Sequence, residues 1–115
     1  MDLQEIMQQH TFAVLGDTLN EEKYAYKLKH ALLKKVYAVG KELTSINDIP
    51  DDIDIIDLCI HPVKGLKLLQ ECKKNFKCIV IQPGASDEAL LSYLNENNMP
   101  YIDGCLLVGL KLYTE

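Results

Sequence analysis

The residues of this sequence best suited to chemistry are a glycine and a threonine that follow an apolar run. Residues 12–15 are apolar, Gly16 ends the run, and Asp17 and Thr18 come directly after it. A strand that ends in a glycine and a hydroxyl residue just before a helix is typical of a phosphate-binding turn. Backbone N–H groups and the positive end of the helix dipole meet the anion there. The pattern predicts that an anionic ligand binds at Gly16 and Thr18.

Three later segments place similar residues at the ends of apolar runs. They are Gly40-Lys41, His61-Pro62 and Gln82-Pro83-Gly84. The carboxyl ends of parallel strands meet at one edge of a sheet, and ligands bind at that edge. We therefore expect these segments to lie beside Gly16 and Thr18 and to complete one binding cleft.

Continuous apolar runs predict the strands, and apolar residues that recur on one helix face predict the helices, that position these side chains. The predicted strands span residues 12–16, 36–39, 55–60, 78–81 and 99–103. The predicted helices span residues 2–9, 21–35 (capped by Asn20), 63–75 and 87–97 (capped by Ser86), and the type of the segment after Cys105 stays open. Strands that alternate with helices predict a three-layer α/β fold with a parallel sheet of about five strands. We expect residues 1–115 to form a single domain.

The composition argues against several classes of function. The net charge is −5 and all twelve basic residues are lysines, whereas nucleic-acid binders usually carry a basic face with arginines. No apolar run approaches the ~20 residues of a membrane-spanning helix, and the acidic N-terminus lacks a signal-peptide pattern. The four cysteines show no Cys-x-x-Cys spacing, so we interpret them as reduced, packed side chains. We expect a cytoplasmic protein that binds neither nucleic acid, nor a membrane, nor a metal.

A dinucleotide is the usual ligand of such a fold, and the sequence departs from the usual fingerprint. The Gly-x-Gly-x-x-Gly turn has three glycines, whereas this turn offers Gly16 alone, with Thr18 and Glu21 at the other two positions. A dehydrogenase also places an acidic residue at the end of the second strand, where this chain has Lys41. A lysine at that point favours a phosphorylated ribose. Glu42 follows directly and would suit NAD if the strand ended later, so an NAD(P)-binding protein remains an alternative.

Five segments together resemble a known family. Residues 16–26 are similar to the Gly-Ala-Ser-x-x-Pro-x-Lys-Tyr-Gly-Tyr signature of small bacterial CoA-binding domain proteins, which are stand-alone relatives of the nucleotide-binding domain of the succinyl-CoA synthetase α subunit. The similarity continues through residues 45–50, 53–57, 81–85 and 103–108, in the family's order. It spans the chain from about residue 10 to residue 109.

The resemblance implies a Rossmann-like domain that binds coenzyme A or an acyl-CoA through its 3′-phospho-ADP part, without catalysis of its own. It implies that Gly16 and Thr18 lie against the pyrophosphate and that Lys41 lies near the ribose phosphate. Lys23 corresponds to the family's lysine in the first helix. The remaining implied contacts are His61 and Pro62 beside the adenosine, and Gln82 and Pro83 on the other side of the cleft.

The chain departs from the family pattern at several cleft positions. Asp17 replaces a small apolar residue, Ala25 replaces a glycine, Lys41 follows Gly40 where the family has Asn-Pro, and Gly104 stands where arginine is common. Two alternatives stay open for this reason. One is a regulatory or interaction module that no longer binds CoA. The other is a subunit of a larger acyl-CoA ligase-like enzyme, since the catalytic histidine of the synthetase lies in a separate domain.

Two further expectations concern the end of the chain. Cys105 has a counterpart in family members, and we interpret it as a packing residue because the sequence brings no base to its thiol. The apolar residues of the N-terminal helix and of residues 110–113 leave a homodimer or a larger protein partner open.

Overall fold

The computed structural model describes residues 1–32 and 34–113. The strands are β1 (Thr11–Gly16), β2 (Lys35–Gly40), β3 (Ile55–Cys59), β4 (Cys78–Ile81) and β5 (Tyr101–Asp103). The helices are α1 (Leu3–Met7), α2 (Tyr24–Ala31), α3 (Pro62–Glu71), α4 (Glu88–Glu96) and α5 (Leu106–Tyr113), with a 3-10 turn at Ile46–Asp48. Within the described ranges, no helix is long and apolar enough to cross a membrane.

The five strands form one parallel sheet in the order β2-β1-β3-β4-β5. Gly16 pairs with Gly40 on one side and with Cys59 on the other, so the carboxyl ends of these strands are level. Apart from Asp57 in β3, the central strands are largely apolar on both faces because helices cover both sides of the sheet.

The helices lie in two layers. The 3-10 turn, α3 and α4 pack on one face of the sheet, and α1, α2 and α5 pack on the other. The β1–α2–β2 connection therefore runs on one face, and the connections through α3 and α4 run on the other. The direction of the connections changes between β1 and β3, which is where ligands of such sheets bind. The predicted α/β, Rossmann-like fold with five parallel strands is confirmed.

The start of α2 differs from the prediction. The helix begins at Tyr24, not directly after Asn20, and Glu21 and Glu22 lie in the preceding loop. The reason is local hydrogen bonding, because Asn20 Oδ1 accepts the N–H of Glu22 inside the loop. The helix ends at Ala31 instead of residue 35, since β2 already begins at Lys35. Leu33, within the predicted helix, lies outside the described residues.

Two other boundaries are corrected, and the open segment at the end of the chain is assigned. Asp87, not Ser86, caps α4, because its Oδ1 accepts the N–H of Leu90 at 2.9 Å. Helix α3 ends at Glu71, with Cys72 as its C-cap. The segment after Cys105, whose type the sequence left open, forms α5.

Gly16 is required by packing at the point where β1 ends. A Cβ atom there would lie 2.8 Å from the carbonyl oxygen of Cys59 and 2.9 Å from the Cβ of Ala25. The missing side chain lets β1 approach both β3 and α2 closely. This explains Gly16 independently of any ligand.

Candidate ligand-binding cleft

A cleft lies at the carboxyl edge of the sheet, where β1 and β3 are neighbours. It consists of two cavities of about 500 Å³ and about 330 Å³. Both are lined by Asp17, Lys41, Ile60 and Lys64, so they adjoin along these residues. Each is within the size range of small-molecule sites.

The larger cavity lies between the loop after β1 and the ends of β3 and β4. Besides the shared residues, its lining consists of Lys23, Tyr24, Cys59, His61, Gln82, Pro83, Gly84 and Ala85. The smaller cavity lies between the end of β2 and helix α3. Its own lining residues are Gly16, Gly40, Thr44, Lys67, Leu68 and Glu71.

Most of the predicted site residues line one of these cavities. They are Gly16, Asp17, Lys23, Gly40, Lys41, His61, Gln82 and Pro83. Thr18 and Pro62 line neither cavity: Thr18 is buried, and Pro62 is the first residue of α3. The role of each residue towards a ligand stays a prediction.

The hydroxyl of Thr18 forms a hydrogen bond within the protein. It donates a hydrogen bond of 2.6 Å to Glu42, whose carboxylate also pairs with Lys29 at 2.7 Å. The hydrogen bond from Lys29 lowers the pKa of Glu42 most, and the hydrogen bond from Thr18 lowers it further, because both stabilise the charged carboxylate. Thr18 and Glu42 therefore tie the loop after β1 to the end of β2.

The carboxylate of Asp17 also bonds within its own loop. Its Oδ1 accepts the backbone N–H groups of Leu19 at 3.1 Å and Asn20 at 3.2 Å. These are two of the donors that a phosphate-binding turn would offer to its ligand. An anion near Asp17 would meet a carboxylate, with these two N–H groups already occupied.

The amino end of α2 is left without a capping side chain. Its N-cap is Lys23, which makes no side-chain capping bond, whereas Asp2, His61 and Asp87 cap α1, α3 and α4. Lys23 and Tyr24 border the larger cavity. The positive end of this helix dipole therefore adjoins the cavity, and the side chain of its N-cap residue, Lys23, does not cap it.

His61 has a defined hydrogen-bonding state. Its Nδ1 accepts the N–H of Val63 at 3.2 Å, so that nitrogen carries no proton. His61 also lines the larger cavity.

Gln82 leaves an acceptor without a partner. Its Oε1 is buried and, among the described residues, makes no hydrogen bond. Since Gln82 lines the larger cavity, a donor on a ligand would satisfy this oxygen.

A buried polar cluster lies beneath the larger cavity. Asp57 is fully buried, and this burial raises its pKa to about 7. The Cys59 thiol donates a hydrogen bond of 2.9 Å to Oδ2 of Asp57, which lowers the pKa by a smaller amount. The other oxygen, Oδ1, has no partner among the described residues. The hydroxyl of Tyr24 accepts the N–H of Leu106 at 2.9 Å.

Both cysteines of this cluster donate hydrogen bonds from their thiols. Burial and the adjacent Asp57 raise the pKa of the Cys59 thiol, so the reactive thiolate is disfavoured. The Cys105 thiol donates to the hydroxyl of Tyr24 at 3.5 Å, and the packing role of Cys105 stays a prediction. In the described part of the chain, no group of His, Cys, Asp and Glu side chains is placed to hold a metal ion.

Two lysines that line the cleft were not predicted from the sequence. Lys64 and Lys67 stand three positions apart on α3 and line the cleft from that helix. Their spacing puts both on one helix face, and the helix follows directly on His61-Pro62 at the binding edge. That combination was the signal available in the sequence. Tyr24 and Cys59 were also missed as lining residues, since both belong to otherwise apolar segments.

Comparison with known proteins places the chain in a family. The family model described as "CoA binding domain" matches residues 10–111, so the chain belongs to that family. A search of curated proteins found no match.

Solved structures show the same fold. A conserved hypothetical protein from Pyrococcus furiosus is 27% identical, with a TM-score of 0.78 over 87% of this chain and 98% of its own. A hypothetical protein from Pyrococcus horikoshii is 22% identical, with a TM-score of 0.85 over 96% of this chain and 88% of its own. A protein from Thermus thermophilus is also 22% identical, with a TM-score of 0.77 over 96% of this chain and 98% of its own.

Proposed function

We propose that this member of the CoA binding domain family binds coenzyme A or an acyl-CoA in the cleft, through the 3′-phospho-ADP part, and catalyses no reaction by itself. The observation that carries the proposal is the arrangement of four lysines around the two joined cavities. These are Lys23, Lys41, Lys64 and Lys67. Among the described residues none of the four is in an ion pair, whereas Lys29, Lys35 and Lys77 are each paired with a carboxylate.

The cleft suits an elongated, strongly anionic ligand. Two adjoining cavities offer room for a nucleotide and an attached arm, and the uncapped amino end of α2 adds a positive dipole beside Lys23. The Oε1 of Gln82, which has no hydrogen-bond partner among the described residues, suits an N–H donor such as an amide of the pantetheine arm. These features support a CoA-type ligand over a small neutral metabolite.

The position of Glu42 argues against an NAD-binding site. A ribose acceptor must face the ligand, yet Glu42 lines neither cavity. Its two oxygens are bound by Lys29 and Thr18. Lys41 lies on both cavities instead, which supports a phosphorylated ribose.

A role without catalysis is supported by the state of the groups that could react. The Cys59 thiol has a raised pKa, and His61 uses Nδ1 to cap α3. All four cysteines are free, which suits a reducing compartment, and we place the protein in the cytoplasm.

One observation favours a second candidate, a module that has lost CoA binding and acts through a protein partner. Asp17 occupies two N–H groups of the loop and adds a negative charge to the cleft. A subunit role in a larger acyl-CoA ligase-like enzyme has no comparable observation in its favour.

Thermal unfolding against a panel of nucleotides tests the proposal. We expect CoA, acetyl-CoA and 3′-phospho-ADP to raise the midpoint, and NAD and AMP to leave it unchanged. A ligand at a hundred times its Kd adds about 2.7 kcal/mol to the free energy of unfolding. Stabilisation by NAD alone, or by no nucleotide, would refute the proposal, and the second result would favour the protein-partner module.

A further inference from the structure

The smaller cavity has a chemistry of its own. Three lysines line it: Lys41 from the end of β2, and Lys64 and Lys67 from α3. Ile60 and Leu68 supply an apolar part of the wall. A planar nucleobase would pack against the apolar wall, and a negatively charged group next to it would lie near the lysines.

The three ammonium groups have no carboxylate partner among the described residues. Two carboxylates, on Asp17 and Glu71, also line this cavity. Asp17 is already bonded to the N–H groups of Leu19 and Asn20, whereas the ammonium groups of the three lysines make no hydrogen bond with the described residues. The cavity thus keeps a positive excess to offer an anion.

We propose that Lys64 and Lys67 of α3, opposite Lys41, form a subsite for a phosphomonoester on the ribose and so select ligands that carry one. The inference rests on the proposed function, and it names the residues that distinguish CoA from dephospho-CoA. A phosphomonoester carries a charge near −2 at neutral pH, where the dephosphorylated ligand has a neutral hydroxyl. Lysines at this position therefore contribute affinity only when that phosphate is present.

The two α3 lysines have well-matched controls. Lys27 and Lys111 also lie exposed on helices and make no ion pair among the described residues, but they line neither cavity. Replacing either pair by glutamine changes the net charge by the same amount. The double variants Lys64→Gln/Lys67→Gln and Lys27→Gln/Lys111→Gln therefore separate a local effect from a general one.

Isothermal titration with CoA and with dephospho-CoA tests the inference. For the wild-type protein we expect CoA to bind at least about tenfold more tightly than dephospho-CoA, as one charge-assisted hydrogen bond provides. In Lys64→Gln/Lys67→Gln that ratio should fall towards one, while Lys27→Gln/Lys111→Gln keeps the wild-type ratio. Thermal unfolding without ligand confirms that both variants are folded.

The outcomes separate the inference from the proposed function. If the wild-type protein binds CoA and dephospho-CoA equally, or if both double variants keep the preference, the inference is wrong and CoA binding stands. If the two double variants lose the preference to the same degree, the effect is one of net charge and the inference is wrong as well. If neither ligand binds the wild-type protein, the proposed function itself fails.

Discussion

Asp17 is the single residue with the largest influence on the cleft. It lines both cavities, and its carboxylate accepts two N–H groups of its own loop. The same side chain therefore orders the loop and opposes an incoming phosphate. The first effect needs only an oxygen acceptor, whereas the second needs the charge, so the two are separable by substitution.

We predict that Asp17→Asn binds CoA more tightly than the wild-type protein. Asparagine keeps the Oδ1 acceptor for the loop and removes the negative charge. A unit charge about 4 Å from a phosphate costs about 1 kcal/mol in water, which corresponds to about fivefold in Kd. Isothermal titration measures the change, and exposed Asp52, outside both cavities, supplies the control Asp52→Asn. Weaker binding by Asp17→Asn would show that the carboxylate assists the ligand.

Asp57 is a second residue with a measurable consequence. Its pKa is raised from 3.8 to about 7, mainly because burial disfavours the carboxylate. Between these two values the folded state holds a proton that the unfolded state has lost. The contribution of Asp57 to stability is therefore present at low pH and is lost as the pH rises towards 7.

We predict that Asp57→Asn removes this pH dependence, since asparagine stays neutral. The wild-type free energy of unfolding should fall relative to that of the variant by about 2 to 3 kcal/mol between pH 5 and pH 8, at about 1.4 kcal/mol per pH unit where the group titrates. Urea unfolding of both proteins at several pH values measures the difference. Parallel profiles would contradict the assignment, and Asp52→Asn should run parallel to the wild type.

At the scale of elements, the sequence predicts the strands well. Continuous apolar runs such as residues 78–81 are long enough for a strand and too short for a helix, and all five strands lie where the pattern places them. Helix ends are harder, because several side chains compete as caps. Ser86 and Asp87 both suit an N-cap, and the choice of Asp87 depends on how the chain leaves β4.

The loop between β1 and α2 shows why the site was only partly predicted. The pattern that predicts a phosphate-binding turn contains Thr18, but the hydroxyl of Thr18 bonds to Glu42, 24 residues later in the chain. No local pattern encodes that contact. Gly16, in contrast, was predicted as a site residue, and packing against Cys59 and Ala25 is sufficient to require it.

The lysines of α3 illustrate the same limit. A pair at positions 64 and 67 is what any solvent-exposed helix face shows, and Val63 beside them is itself 63% exposed. Only the packing of α3 beside the end of β2 turns this face towards a cavity. The edge of the sheet was thus predictable, while the helix side chains that reach over it required the structure.

At the scale of the whole molecule, charge is distributed unevenly. The chain carries a net charge of −5, yet four lysines surround one cleft. An acidic surface around a basic cleft disfavours nonspecific binding of polyanions and leaves a local site for a small one. This distribution agrees with a family whose model is that of a CoA binding domain.

The most direct test of the central claim is an amide NMR titration of the isotope-labelled protein with CoA. Strands β1 to β4 each provide an internal control, because the carboxyl end of each borders the cleft and its amino end lies at the opposite edge of the sheet. We predict large, saturable shifts at Gly16, Lys41, Ile60 and Gln82, and small ones at the amino ends of β1 and β4. Absence of saturable shifts, or shifts concentrated at the amino edge, would contradict CoA binding in this cleft.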